Sequence, residues 1–174
     1  AIKKGAGDNN DEAQLQEVYY EGFGPAGTAI MIHAVTDNRN RTVANIRTIM
    51  TKNSGNLGEA GVVAYMFDRK GFFLIEGMNE DLELELIELG ADDIIDKEIY
   101  VAPTDFYKFK TELEKKGIKI SESKLILHPK NKNQISDLDA AKKLFQLLDK
   151  LDDDDDVVEV FTNADIPEDI LDKL

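Results

Sequence analysis

Between residues 72 and 128 the hydrophobic period changes in the order strand, helix, strand, strand, helix, strand. Few folds accept that order, and the split βαβ, or ferredoxin-like, arrangement is the one it matches. Strand 72–76 leads into a segment, 80–89, that fits two periods. Leu82, Leu84 and Leu86 alternate with Glu as a strand would, while Leu82, Leu86 and Leu89 share one helical face. Asn79 as a cap, Glu80 and Asp81 in a first turn, and Gly90 as a stop decide for a helix. The extended stretch 92–101 follows. Thr104 then caps a helix over 104–116, with Phe106, Phe109 and Leu113 as its apolar stripe and Gly117 ending it. Residues 118–128 complete the unit as a strand.

The flanks make a second α+β unit. Strands read at 14–23 and at 27–36, the latter almost wholly apolar and therefore buried. Gly24-Pro25-Ala26-Gly27 turns between them. A helix over 39–53 buries Val43, Ile46, Ile49 and Met50, and Ser54–Gly61 is a Gly-rich loop. A strand at 62–67 is parted from 72–76 by the polar turn Asp68-Arg69-Lys70-Gly71. After the middle unit, 137–151 carries Leu138, Ala141, Leu144, Phe145, Leu148 and Leu151 on one face, with Ser136 and Asp139 as a capping box. Asp152–Asp156 form an acidic solvated turn before a last strand at 157–162. The fold class is α+β with two nested domains. Residues 1–70 plus 130–174 form the discontinuous outer domain, and 71–129 form the inserted ferredoxin-like βαββαβ domain. Ala1-Ile2-Lys3-Lys4-Gly5 reads as the last turn of a helix, so 1–7 is expected to be the remnant of an upstream segment.

Charge narrows the function. The 174 residues hold 21 Lys+Arg against 35 Asp+Glu, a net charge of −14. That balance excludes a surface that coats nucleic acid throughout, but not a local basic patch. The charge is segregated: Arg39, Arg41 and Arg47 lie within nine residues, and across 37–56 these and Lys52 face a single acid, Asp37. No apolar run approaches the ~18 residues of a membrane helix. With no Cys, there are no disulfides, thiolate metal sites or thiol nucleophiles. No apolar signal segment opens the chain, which reads as cytoplasmic.

Gly22-Phe23-Gly24-Pro25-Ala26-Gly27 matches GxGxxG, but a strand rather than a helix follows, so it reads as a hairpin turn. Gly55-Asn56-Leu57-Gly58 matches the GxxG of KH modules, but it leads into a strand and reads as a helix stop and loop. In Asp37-Asn38-Arg39-Asn40-Arg41-Thr42 two arginines open a helix, where the macrodipole disfavours cations. Free amides and two guanidinium forks would there bind phosphate, or the arginines would pair with acids elsewhere in the chain. His33 reads as a core residue and His128 as exposed. No His, Cys or carboxylate set forms a metal site, and no nucleophile–base pair or paired carboxylate marks an enzyme. The sequence therefore offers no catalytic residue, no metal ligands and no cofactor motif.

Several stretches together resemble the YebC/PmpR family of probable transcriptional regulators, whose relatives include mitochondrial translational activators. They are Val18-Tyr19-Tyr20-Glu21-Gly22-Phe23-Gly24-Pro25-Ala26-Gly27, Thr36–Thr42, Ser54–Gly58, Gly61-Val62-Val63-Ala64-Tyr65-Met66-Phe67 and Asn163-Ala164-Asp165-Ile166-Pro167. The resemblance implies a basic helical N-terminal domain, absent here, ahead of two nested α+β domains. It also implies non-enzymatic work on nucleic acid in the cytoplasm. The partner is DNA, giving transcriptional control, or ribosomal or messenger RNA on the ribosome, giving control of translation. Arg39, Arg41, Arg47 and Lys52, helped by Lys3 and Lys4, would contact phosphates. A ligand-sensing or self-associating role for the middle unit, through its sheet edges, is the alternative from another class. Helix 39–53 carries no row of base-reading side chains, and no exposed aromatics are evident at strand centres for RNA stacking.

Overall fold

The computed structural model describes residues 14–174. In chain order the elements are β1 (Gln16–Phe23), β2 (Ala29–Thr36), α1 (Arg39–Lys52), β3 (Asn56–Leu57), β4 (Phe67–Ile75), α2 (Glu80–Leu89), β5 (Asp93–Ile95) and β6 (Glu98–Val101). They continue with α3 (Phe106–Lys115), β7 (Ile120–Pro129), β8 (Asn133–Gln134), α4 (Leu138–Asp152), β9 (Val157–Thr162), β10 (Ala164–Asp165) and α5 (Glu168–Leu171). The described residues from 14 to 66, together with Pro129–Leu174, form one compact unit, and Phe67–His128 form another.

The first unit is built on an antiparallel sheet in the order β3-β1-β2-β9. Its apolar strand β2 is central because Ile30 and Ile32 are buried on the helical side, against Ile46 and Met50 of α1 and Leu144, Leu147 and Leu151 of α4. Each such side chain contributes roughly 1.5–3 kcal/mol when fully buried. The buried stripe of α4 runs through Ala141, Leu144, Leu147 and Leu151, so Phe145, expected on that face, sits at its exposed border. The cap of α4 is Asp137, whose carboxylate accepts from the Ala140 N–H at 3.2 Å, in place of the expected Ser136/Asp139 box. The glycine motif at 22–27 is the β1–β2 turn. Gly24 N–H donates to Thr28 O at 2.8 Å, and β2, not a helix, follows it.

The strand expected over 62–67 does not form; only its last residue, Phe67, is extended, as the start of β4. The carboxylate of Glu21, buried in β1, accepts from the backbone N–H groups of Gly61 (2.7 Å), Val63 (3.0 Å) and Ala64 (2.7 Å). Those donors are unavailable to a ladder, and the segment closes into a 3-10 turn over Ala64–Met66.

The second unit has the sheet order β5-β6-β4-β7, with α2 and α3 covering one face through Phe73, Ile75, Leu86, Ile99, Val101, Phe106, Phe109 and Leu113. Numbered within the unit, that order is 2-3-1-4, the ferredoxin-like arrangement. Asn79 caps α2, accepting from Leu82 N–H at 2.8 Å, and Gly90 ends it at φ 116°. Two expectations change here. A 3-10 turn occupies Pro103–Asp105, so α3 starts at Phe106 and Thr104 makes no cap. Asp68–Gly71 is also no turn: β4 runs unbroken from Phe67 to Ile75. Gly71 stands in that strand because a side chain there would meet Val101 and Phe106.

Candidate nucleic-acid interface

α1 begins where the sequence places it. Thr36 Oγ1 accepts from Asn38 N–H at 2.9 Å, and Asn38 Oδ1 accepts from Arg41 N–H at 3.1 Å, closing the first turn. Thr42, Ile46 and Met50 are buried, which turns Arg39, Arg41, Asn45, Arg47, Thr48 and Lys52 outward. The helix contains no acidic residue. Arg39, Arg47 and Lys52 are exposed, and none forms an ion pair among the described residues.

Arg41 behaves differently. Its Nη2 donates to Asp156 at 3.0 and 3.1 Å and to Asp37 Oδ1 at 3.0 Å, and its Nε lies 3.3 Å from Asp156 Oδ2. Thr42 Oγ1 donates to Asp156 Oδ2 at 2.7 Å. Hydrogen bonds to Asp156 first, then to Asp37, hold the guanidinium above its ordinary pKa. Of the two readings of this helix start, Arg41 follows the ionic one: carboxylates of the chain itself engage its guanidinium. Asp156 is correspondingly not a solvated member of the acidic turn: its side chain is 14% exposed. Sequence reasoning missed it because the two partners lie 115 residues apart. Asp152 keeps its proton to a higher pH than usual, through burial and then the neighbouring charges of Asp149, Asp153 and Glu159. A cleft of about 540 Å³ beside Arg41 is lined by Asn45 and Asp153–Asp156, an acidic wall that repels phosphate.

The remaining candidates fall elsewhere. Lys3 and Lys4, with the expected helix remnant at 1–7, lie outside the described residues. His33 is part-buried on the sheet, its ring stacked on Tyr19 at 4.7 Å and its Nε2 3.1 Å from Glu17 Oε1. His128, expected to be exposed, is half-buried with its ring 4.5 Å from Tyr100. Phe72 and Tyr100 pair across β4 and β6 at the centre of the second sheet, but both are buried. No cluster of His, Cys, Asp or Glu fit for a metal occurs among the described residues. No helix among them is long and apolar enough to cross a membrane.

Comparison with known proteins gives a consistent result. The family model described as TACO1/YebC second and third domain matches residues 15–164. A "Probable transcriptional regulatory protein" of Aquifex aeolicus is 44% identical over 181 residues, covering 100% of this chain and 72% of that protein. One from Sulfurihydrogenibium is 46% identical over 182 residues with the same coverage. The crystal structure of a conserved hypothetical protein from Aquifex aeolicus superimposes with a TM-score of 0.84 at 42% identity, over 91% of this chain and 68% of that one.

Proposed function

The chain belongs to the TACO1/YebC family, and on that premise we propose that it is a non-enzymatic, cytoplasmic nucleic-acid-binding regulator. It acts on DNA as a transcriptional regulator, in keeping with the names its relatives carry. The exposed face of α1 is its phosphate-contacting surface. The observation that carries this reading is the acid-free helix itself. In a chain of net charge −14, it presents Arg39, Arg47 and Lys52 to solvent without intramolecular ion pairs among the described residues. Asn40, Asn45, Thr48 and Thr51 between them add neutral donors suited to phosphate oxygens.

Arg41 has a different role in this scheme. Its charge is balanced by Asp156 and Asp37, so it braces the helix start rather than supplying net positive charge. Phosphate contacts orient a protein without reading sequence, so α1 sets affinity and position.

The test is a salt titration of binding to duplex DNA and, in parallel, to a structured RNA of equal length. Each lost phosphate contact lowers the slope of log K against log salt by about 1. The Arg39→Ala/Arg47→Ala variant is expected to bind more weakly and to lose about two units of slope. Arg41→Ala is expected to leave the slope nearly unchanged. An unaltered slope in the double variant would remove α1 from the interface. A preference for the RNA would redirect the reading to control of translation.

A further inference from the structure

We propose that a cleft in the first unit, between Tyr65 and Asn163, receives an unpaired base of single-stranded nucleic acid. This deepens the nucleic-acid reading above and rests on it. The cleft measures about 440 Å³, within the range of small-ligand pockets, and is lined by Tyr65, Met66, Lys130, Asn131 and Asn163. Two stretches that carry the family resemblance, 61–67 and 163–167, have no part in the α1 surface, and both contribute to this wall.

Tyr65 is the central observation. Its side chain is 64% exposed, and its ring stacks on no other ring among the described residues. The backbone that carries it is held in place. The carboxylate of Glu21 fixes the backbone immediately before it, at Val63 and Ala64. Met66 N–H donates to Val63 O at 2.9 Å, and Met66 O accepts from Lys130 N–H at 2.8 Å. The ring therefore stands in solvent on a backbone pinned on both sides. With the backbone already fixed, only the two side-chain torsions of the tyrosine are left to order when a flat partner covers it.

The lining also supplies polar groups. Asn163 is buried, and its Oδ1 accepts from Ala29 N–H at 2.9 Å, which fixes the orientation of the amide. Its Nδ2 has no intramolecular acceptor among the described residues and can donate to a base edge. Asn131 adds a second amide to the lining, and Lys130 a basic residue. Stacking on an aromatic face tolerates any base, so the site takes single strands without strict sequence preference.

The experiment uses the 174-residue chain with 12-nucleotide oligo(U) and oligo(dT), and a duplex DNA as reference. Because the chain has no Trp and five Tyr, tyrosine fluorescence reports stacking directly. Binding of a single strand is expected to quench part of that fluorescence. Tyr65→Ala should weaken binding about tenfold, remove the quench and leave the salt slope unchanged, while Tyr65→Phe keeps most of the affinity. The RNA and DNA arms show which strand the site prefers. Single-strand affinity unaltered by Tyr65→Ala would overturn the inference. Duplex binding that depends on Arg39 and Arg47, with neither oligonucleotide bound, would overturn it while leaving the α1 surface intact. No binding to any of the three would overturn both.

Discussion

Removing the carboxylate of Glu21 tests whether one buried acid organises the 59–66 segment. Glu21 is 7% exposed, and its two oxygens accept three backbone hydrogens, from Gly61, Val63 and Ala64. A hydrogen bond to a charged acceptor is worth about 1.5–3 kcal/mol net. The three do not add fully, because Gly61 and Ala64 lie at the surface and can turn to water. Val63 is buried, and its N–H has no such recourse. Glu21→Ala is therefore expected to cost about 3–4 kcal/mol, with most of the loss at Val63. Glu21→Gln keeps one acceptor oxygen for Val63 and Ala64 but turns an NH2 toward Gly61, so it should cost about 1–2 kcal/mol. At about 2–4 °C per kcal/mol, the alanine variant should melt about 6–16 °C lower and the glutamine variant about 2–8 °C lower. Urea denaturation followed by circular dichroism gives the free energies. Amide hydrogen exchange at Val63 and Ala64 localises them. Alanine and wild-type proteins agreeing within about 0.5 kcal/mol, with Val63 still protected, would refute the reasoning.

Two further outcomes follow from the packing and the charge. Asp152 is held above its ordinary pKa in the fold, so the stability linked to its proton is complete below about pH 3.8 and is lost as pH rises through the raised value. Asp152→Asn should accordingly raise the urea midpoint at pH 7 and leave it nearly unchanged at pH 3, and equal gains at both would contradict this. A Cβ on Gly71 would lie 2.7 Å from Val101 Cγ2 and 2.9 Å from Phe106 Cδ1, both in the second core. Gly71→Ala should therefore cost about 1–3 kcal/mol despite the better strand propensity of alanine, and a thermal midpoint equal to wild type would show that the neighbours yield.

Local periodicity revealed the elements, and pairing across long separations decided what some residues do. The stripe Ile46, Ile49, Met50 located α1, and Asn79 with Gly90 resolved the two-way reading of residues 80–89. The order of the inserted unit was legible because Asn79 and Gly90 bound α2 and the stripe Phe106, Phe109, Leu113 marks α3. Two expectations failed for separate reasons, and a third stayed open. Gly71 looked like a turn residue because glycine reports tight space and left-handed backbone with the same letter. Val62–Phe67 looked like a strand because nothing nearby shows that a carboxylate 40 or more residues earlier takes its amides. Arg41 stayed open between phosphate binding and an ion pair because Asp156, in a run of five identical acids, carries no local sign of its partner. The basic face of α1 was legible from charge alone; the cleft at Tyr65 was not, since its walls come from 65–66, 130–131 and 163.

Met66 and Lys130 are joined by a backbone hydrogen bond of 2.8 Å, so the chain leaves the first unit and returns to it at nearly the same point. This has a consequence for the order in which the protein can be made. When the ribosome has delivered β1, β2 and α1, the layer that should cover Ile30, Ile32, Ile46 and Met50 does not yet exist, because α4 and β9 lie beyond residue 137. The segment Phe67–His128, by contrast, is contiguous and can close on itself as soon as it emerges. Synthesis therefore completes the interior module first and the enclosing one last. A chain truncated near residue 130 and released from the ribosome should hold a finished second unit and a first unit whose β2 and α1 still expose their apolar faces to chaperones.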